Sequence, residues 1–265
     1  MREIFLRALS RVGAGMSDIL NTPNNIYSLL NGKLKMLPAK GGYRAAIDPV
    51  LLAASISASE GEQILDMGCG TGAATFCLAV RKPFIRAMGV DSQGPLIAIA
   101  KKIATLNKLE GNIKFKNIDL LDLNNTEKFP QFDHVMANPP HMKKGSVRPS
   151  PDPLKVAANI ENHAVLLDWL KVSFKVVAIG GTVTFIHRYE RRYELIAEME
   201  KYGSVSVFPI WSRMSGNTAR RVIIQCRKGA FDETKILDGL ILHQLNGDYT
   251  ETANTILRDL SPINI

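Results

Sequence analysis

Asn138, Pro139, Pro140 and His141 stand together directly after the apolar run 134–137. A carboxamide oxygen and the carbonyl of a proline-stiffened turn are two acceptors held at a fixed spacing. Each accepts one N–H of a planar NH₂ group, which selects for such an amine and aims its lone pair. His141 adds a ring face on which a planar group stacks. The plain alternative is that asparagine and proline simply make a turn.

A second group of residues lies upstream in "QILDMGCGTGAATFCLA", where a strand ends at Asp66 and Gly68, Cys69, Gly70 and Gly72 lead into a helix. Glycines allow a sharp turn and a close backbone approach to a ligand, and the following helix offers free N–H groups. Asp91, nineteen positions after Gly72, closes the next strand, where an acid accepts the two hydroxyls of an adenosine ribose. Asp119 closes the strand after that and suits the exocyclic amine of an adenine. Ser92 and Leu120, the neighbours of these acids, join the same expected site. Each acid is also a reasonable N-cap for the helix that follows it. Gly68, Gly70 and Ala73 match the dinucleotide spacing G-x-G-x-x-A as well, so a nicotinamide cofactor stays open at this point.

These residues need a scaffold that brings strand ends together. Apolar, β-branched runs at 63–67, 85–90, 113–117, 134–137 and 182–186 alternate with helix-like segments, among them 94–107 and a long stretch at 156–177 ending in "AIGG". That order predicts parallel strands with crossover helices. A charged helix in "YERRYELIAEMEKYG" and two strands at 205–210 and 222–226, joined as an antiparallel hairpin, follow. The tail carries an Asn246-Gly247 turn and a capped helix in "TETANTILRDL".

With 265 residues and 46% hydrophobic content the chain can bury one substantial core. We read residues 1–40 as an extension, 41–228 as the core and 229–265 as a segment packed on it. Cys69, Cys77 and Cys226 form neither a paired framework nor a metal-ligand spacing, so no metal site is expected and a reducing compartment is. Arg2, Glu3, Arg7 and Arg11 interrupt any leader-like apolar run, and no stretch is long enough for a membrane span, which predicts a cytoplasmic protein with no membrane partner. The net charge of +8 favours an anionic partner such as nucleic acid.

Over residues 48–226 the chain resembles the class I S-adenosylmethionine-dependent methyltransferases. The resemblance implies a Rossmann-like α/β fold with a seven-stranded, mostly parallel sheet, helices on both faces and a C-terminal antiparallel hairpin. It assigns "DMGCGTG" to the methionine part of S-adenosyl-L-methionine, Asp91 to the ribose and Asp119 to the adenine, with Asn138 beside the methyl group. "NPP" followed by an aromatic resembles the signature of enzymes that methylate planar amines on adenine, guanine or glutamine. Here histidine stands where tyrosine or phenylalanine is commoner.

Residues 30–260 further resemble the bacterial enzymes that methylate adenine N6 in the anticodon loop of a valine tRNA, on "KLKMLPAKGGYRAAIDPVLLAA", "NPPHMKKGSVRPSPDP" and the C-terminal "LILHQLNGDYTETANTILRDL". This implies tRNA as partner. Tyr43, Arg44, Lys143, Lys144, Arg148, Arg188, Arg191, Arg192, Arg220 and Arg221 are candidates for following its phosphates. Another RNA base or a protein glutamine remains the alternative substrate.

Overall fold

The computed structural model describes residues 26–39, 44–125, 129–141, 164–213 and 218–265. A short hairpin, β1 (Tyr27–Leu29) and β2 (Leu34–Met36), comes first and buries Leu34 and Met36 completely. Then α1 (Asp48–Ala54), with Pro49 in its first turn, leads to β3 (Gln63–Met67). The alternation continues through α2 (Ala73–Arg81), β4 (Arg86–Asp91), α3 (Gly94–Leu106), β5 (Ile113–Asn117), α4 (Leu120–Asn125) and β6 (Phe132–Ala137). After α5 (Leu166–Val176) the chain enters β7 (Val177–Arg188), a 3₁₀ turn (Tyr189–Arg191) and α6 (Arg192–Met199). The hairpin strands β8 (Gly203–Arg213) and β9 (Arg221–Lys228) follow, then β10 (Lys235–Ile236), β11 (Leu240–His243) and α7 (Glu251–Arg258).

The strands from β3 onward form one sheet in the order β10-β8-β9-β7-β6-β3-β4-β5, with β11 also on β8. β3, β4, β5, β6 and β7 run parallel, and β9 pairs antiparallel with β7 and β8. This is the Rossmann-like α/β architecture expected, with nine strands among the described residues in place of seven. The two additional strands come from the tail. Both pair parallel with the outer edge of β8, which the hairpin would otherwise leave with unpaired backbone groups.

Central strands are buried on both faces, as a parallel sheet requires. In β3 Ile64 packs into one core, with Phe76, Ile103 and Ile223. Leu65 and Met67, on the opposite face, pack with Leu170, Phe174 and Phe185. Thr250 caps α7 through its hydroxyl, which accepts from Ala253 N–H, and Arg81 donates to the carbonyls of Ile256 and Ser261, fixing the tail against α2.

Most strands extend beyond their expected bounds, and the largest differences lie around α5. The long helix expected at 156–177 is described from Leu166, since 142–163 lie outside the described residues. The "AIGG" expected at its end belongs instead to β7, where the pairing with β6 jumps from Phe132–Val177 to His134–Thr182. Two glycines let the strand bulge there without a side chain in the way.

Candidate functional site

The sheet reverses its order at β3, between β4 on one side and β6 on the other. Ligands of open α/β sheets bind outside the carboxyl ends of the strands at such a point. Register brings the expected residues to one level: Met67 lies beside both Val90 and Ala137. Gly68 and Asn138 therefore leave neighbouring strands side by side, and Asp91 ends the third.

Gly68, Gly70 and Gly72 all have positive φ. Gly68 has no room for a Cβ, which would stand 2.4 Å from the Trp169 ring. A Cβ on Gly70 would meet nothing within 4 Å, so the loop faces open space there. Gly72 ends the loop as the left-handed N-cap of α2 and offers no side-chain cap. Asp66 supplies one from the strand: its Oδ2 accepts from Thr75 N–H at 3.2 Å and Thr75 Oγ1–H at 2.6 Å. Burial, opposed by these bonds and reinforced by the charge of Asp91, pushes the Asp66 carboxyl up to about 7.

Asp91 accepts Gly70 N–H at 2.9 Å on Oδ2 and Gln93 N–H at 2.8 Å on Oδ1. It thus fixes the turn that leads into α3 and braces the glycine loop at once, and each oxygen keeps a further lone pair. Burial raises its pKa against these two bonds. Asp119 accepts Leu121 N–H at 2.8 Å, capping α4, and is half-buried with Leu120, while Ser92 is exposed. The Cys69 side chain is buried, its thiol held protonated by burial and by Asp66 and Asp91. Cys69 N–H donates to Val90 O and its carbonyl accepts from Gly72 N–H, so its bonds serve the loop itself.

At the end of β6, Asn138 Oδ1 is buried and has no hydrogen-bond partner among the described residues. A buried acceptor left alone costs stability and is the kind of atom that awaits a donor. Trp169 Nε1, on the ring that covers Gly68, is likewise buried without a partner. The loop open at Gly70, the doubly anchored Asp91 and these orphaned atoms together fit an adenosyl ligand that ends beside Asn138.

His141 is held rather than presented. Its Nε2 lies 3.5 Å from Asp48 Oδ2, and its ring stands edge-on to His187 with centroids 5.0 Å apart. Asp48 Oδ2 also accepts from Arg221 Nε at 2.8 Å. Burial would raise the Asp48 pKa, but His141 and Arg221 outweigh it and the net shift is downward. His187 Nε2 lies 3.4 Å from the Pro140 carbonyl, and burial, then the charges of His141 and Arg191, push its pKa down to about 3. A neutral imidazole donating from Nε2 steadies the Pro140 carbonyl and with it the turn.

From the sequence Asp48, ahead of Pro49 and "VLLAA", offers itself as an N-cap, and His187 is not singled out. The available signals were an acid beside "PVLLAA" and a lone polar residue closing the apolar "VTFIH". Among the expected phosphate contacts, Arg188, Arg220 and Arg221 come together at the ends of β7 and β9, lining one cavity. Arg44 lies over the Tyr27 ring, 5.3 Å from its centroid. Arg191 is bonded to Glu194, and Arg192 lies over the Tyr189 and Tyr193 rings, so these three are engaged within the protein. Tyr43, Lys143, Lys144 and Arg148 lie outside the described residues.

Comparison with known proteins gives the same class. A family profile described as a methyltransferase domain matches residues 58–203. A release factor glutamine methyltransferase of Aliivibrio fischeri is 28% identical over 159 residues, 55% of this chain and 52% of that protein. The chain thus spans about half the length of that relative. A tRNA1(Val) (adenine(37)-N6)-methyltransferase of Haemophilus influenzae is 25% identical over 221 residues, 82% of this chain and 90% of that protein. The crystal structure of a predicted O-methyltransferase from Agrobacterium tumefaciens superposes with a TM-score of 0.65 at 20% identity, covering 81% of this chain and 97% of that one.

Proposed function

The chain belongs to the class I S-adenosylmethionine-dependent methyltransferases, and from that premise we propose that it methylates N6 of an adenine in tRNA. S-adenosylmethionine is the methyl donor of this family, which sets the nicotinamide reading aside. When bound it supplies an electrophilic methyl group. Gly68, Gly70 and Gly72 are the backbone that approaches it, Asp91 takes its ribose, and Ser92, Asp119 and Leu120 border its adenine. Asp66 and Cys69 act beneath the loop, holding its shape.

The observation that carries the reading is the unpartnered, buried Asn138 Oδ1 at the end of β6. An exocyclic amine has a delocalised lone pair and needs orientation more than a base. Asn138 Oδ1 and the Pro139 carbonyl each accept one of its N–H groups and turn the lone pair toward the methyl group. Pro140 and His187 stiffen that turn. His141 borders the base with its ring fixed between Asp48 and His187.

RNA as substrate is supported by the relative that matches over most of its own length and by the arginines gathered beside the turn. A protein glutamine is the second reading, favoured by the release factor relative. The test is transfer of label from S-adenosylmethionine to bulk tRNA from a strain lacking the enzyme, followed by nucleoside analysis. Label in N6-methyladenosine is expected. Label in a release factor fragment and none in tRNA would replace adenine with glutamine.

A further inference from the structure

Beside the catalytic turn, at the same edge of the sheet, lies a cavity of about 770 Å³ between the ends of β7 and β8, the start of β9 and the tail. Its volume falls within the roughly 300–1,000 Å³ of small-molecule clefts. Arg188, Arg213, Arg220 and Arg221 line it, with Glu190 as the one acid among the described residues. Arg221 is neutralised by Asp48, and Arg188 faces Glu190 at a long 3.8 Å. Among the described residues neither Arg213 nor Arg220 has a carboxylate partner, and both are exposed. Trp211 forms part of the wall, half-buried.

The far wall comes from the tail. β11 pairs with β8 so that His243 lies beside Arg213, and His243 stacks on Tyr249 and bonds to the Gly247 carbonyl at 3.1 Å. β11 and the turn after it thus do more than cover an edge: His243 and Gly247 close a basic cleft. Its inner end is one contact from the turn, because Arg221 and His141 share Asp48 Oδ2.

We propose that this cleft holds the nucleotides flanking the target base, with Arg213 and Arg220 on two backbone phosphates and Trp211 against a neighbouring base. The inference rests on the RNA reading above. Guanidinium groups match phosphate oxygens in pairs, and an indole face accepts any base, so the cleft recognises single-stranded RNA without reading its sequence. A base drawn out of a loop leaves its neighbours unstacked, and those need new partners. A protein glutamine brings no phosphates to such a surface.

The experiment is binding of bulk tRNA to the full-length protein over about 50–200 mM KCl, for wild type and for Arg213→Gln/Arg220→Gln. Affinity for S-adenosylmethionine is measured alongside as the check on folding. Loss of two single-strand phosphate contacts is expected to flatten the slope of log affinity against log salt by about 1.4 and to weaken binding roughly tenfold. Trp211, one of two tryptophans in the chain, should show emission quenched by tRNA, and Trp211→Phe should remove that signal. A wild-type slope in a variant that still binds S-adenosylmethionine would overturn the cleft while leaving the RNA reading in place. No binding of tRNA by the wild type even at about 50 mM salt would overturn both. Poly-L-glutamate bound in its place would assign the cleft to an acidic protein partner.

Discussion

Removing the Asn138 carboxamide separates chemistry from folding. In most proteins a buried amide is bonded, and truncating it costs about 1 kcal/mol or more. Here Oδ1 has no partner among the described residues, so its loss breaks no bond to them. Asn138→Ala is expected to move the melting temperature by no more than about 2 °C, since one kcal/mol corresponds to roughly 2–4 °C in a chain of this size. Affinity for S-adenosylmethionine should stay within about threefold, a change of less than 1 kcal/mol. Transfer is another matter. A positioned polar group acting on the transition state is worth about 10²–10³ in rate, and kcat should fall by that factor. Calorimetry for the cofactor, thermal unfolding and a single-turnover transfer assay measure the three quantities on one preparation. A drop in melting temperature beyond about 4 °C, or cofactor affinity falling in step with kcat, would refute the argument. Asn138 would then be part of the scaffold.

Other substitutions probe the elements around it. Gly70→Ala should cost about 1–2 kcal/mol for its positive φ yet lose at least tenfold in cofactor affinity, because its methyl group enters the open space over the loop. Gly68→Ala carries the same backbone strain and also drives a methyl group into Trp169, so its cost in urea unfolding should exceed about 3 kcal/mol. Asp66, whose folded pKa of about 7 lies above the ordinary 3.8, favours the fold fully below pH 3.8 and loses that contribution as pH rises through 7. Asp66→Asn keeps an acceptor for Thr75, so it should be more stable than wild type at pH 8 and show a shallower decline between pH 4 and 7. Asp91, also raised, keeps part of that slope. Arg221→Leu strands a buried carboxylate with His141 as its remaining partner. It should cost about 1–2 kcal/mol, a figure reduced because the Arg221 side chain is 31% exposed. The lowered pKa of Asp48 means that its contribution is full above 3.8 and is lost as pH falls below it, so variant and wild-type urea midpoints should converge on acidification.

What could be read from the residues alone was what local pattern determines. The strands from β3 to β9 announced themselves because each contains a short apolar, β-branched run. The glycine loop was visible because its backbone conformations exclude most other residues. Asp91 reads from the sequence as a helix cap or as a ribose acceptor; in the structure Gln93 is the N-cap of α3, and the two Asp91 oxygens accept from Gln93 and Gly70 N–H, holding the turn and the glycine loop. The tail strands were not visible. Lys235–Ile236 is two residues long and β11 four, too short for any period to register, and their pairing partner is the far-off edge of β8.

The same reason hid the contacts that fix the Asn138–His141 turn. Asp48 and Arg221 are 173 positions apart, and an acid at the head of a helix looks like a cap whatever it meets later. In the structure Ile47 is the N-cap of α1, and the Asp48 side chain serves His141 and Arg221 instead. That choice has a consequence for chemistry. A histidine free to swing would offer its ring to a base at the expense of rotamer entropy on every turnover. Pinned between Asp48 and His187, His141 has already lost that freedom on folding, and Arg221 carries the same restraint outward to the basic cleft. The departure from the commoner tyrosine or phenylalanine puts a ring nitrogen, which neither of those side chains has, beside Asp48.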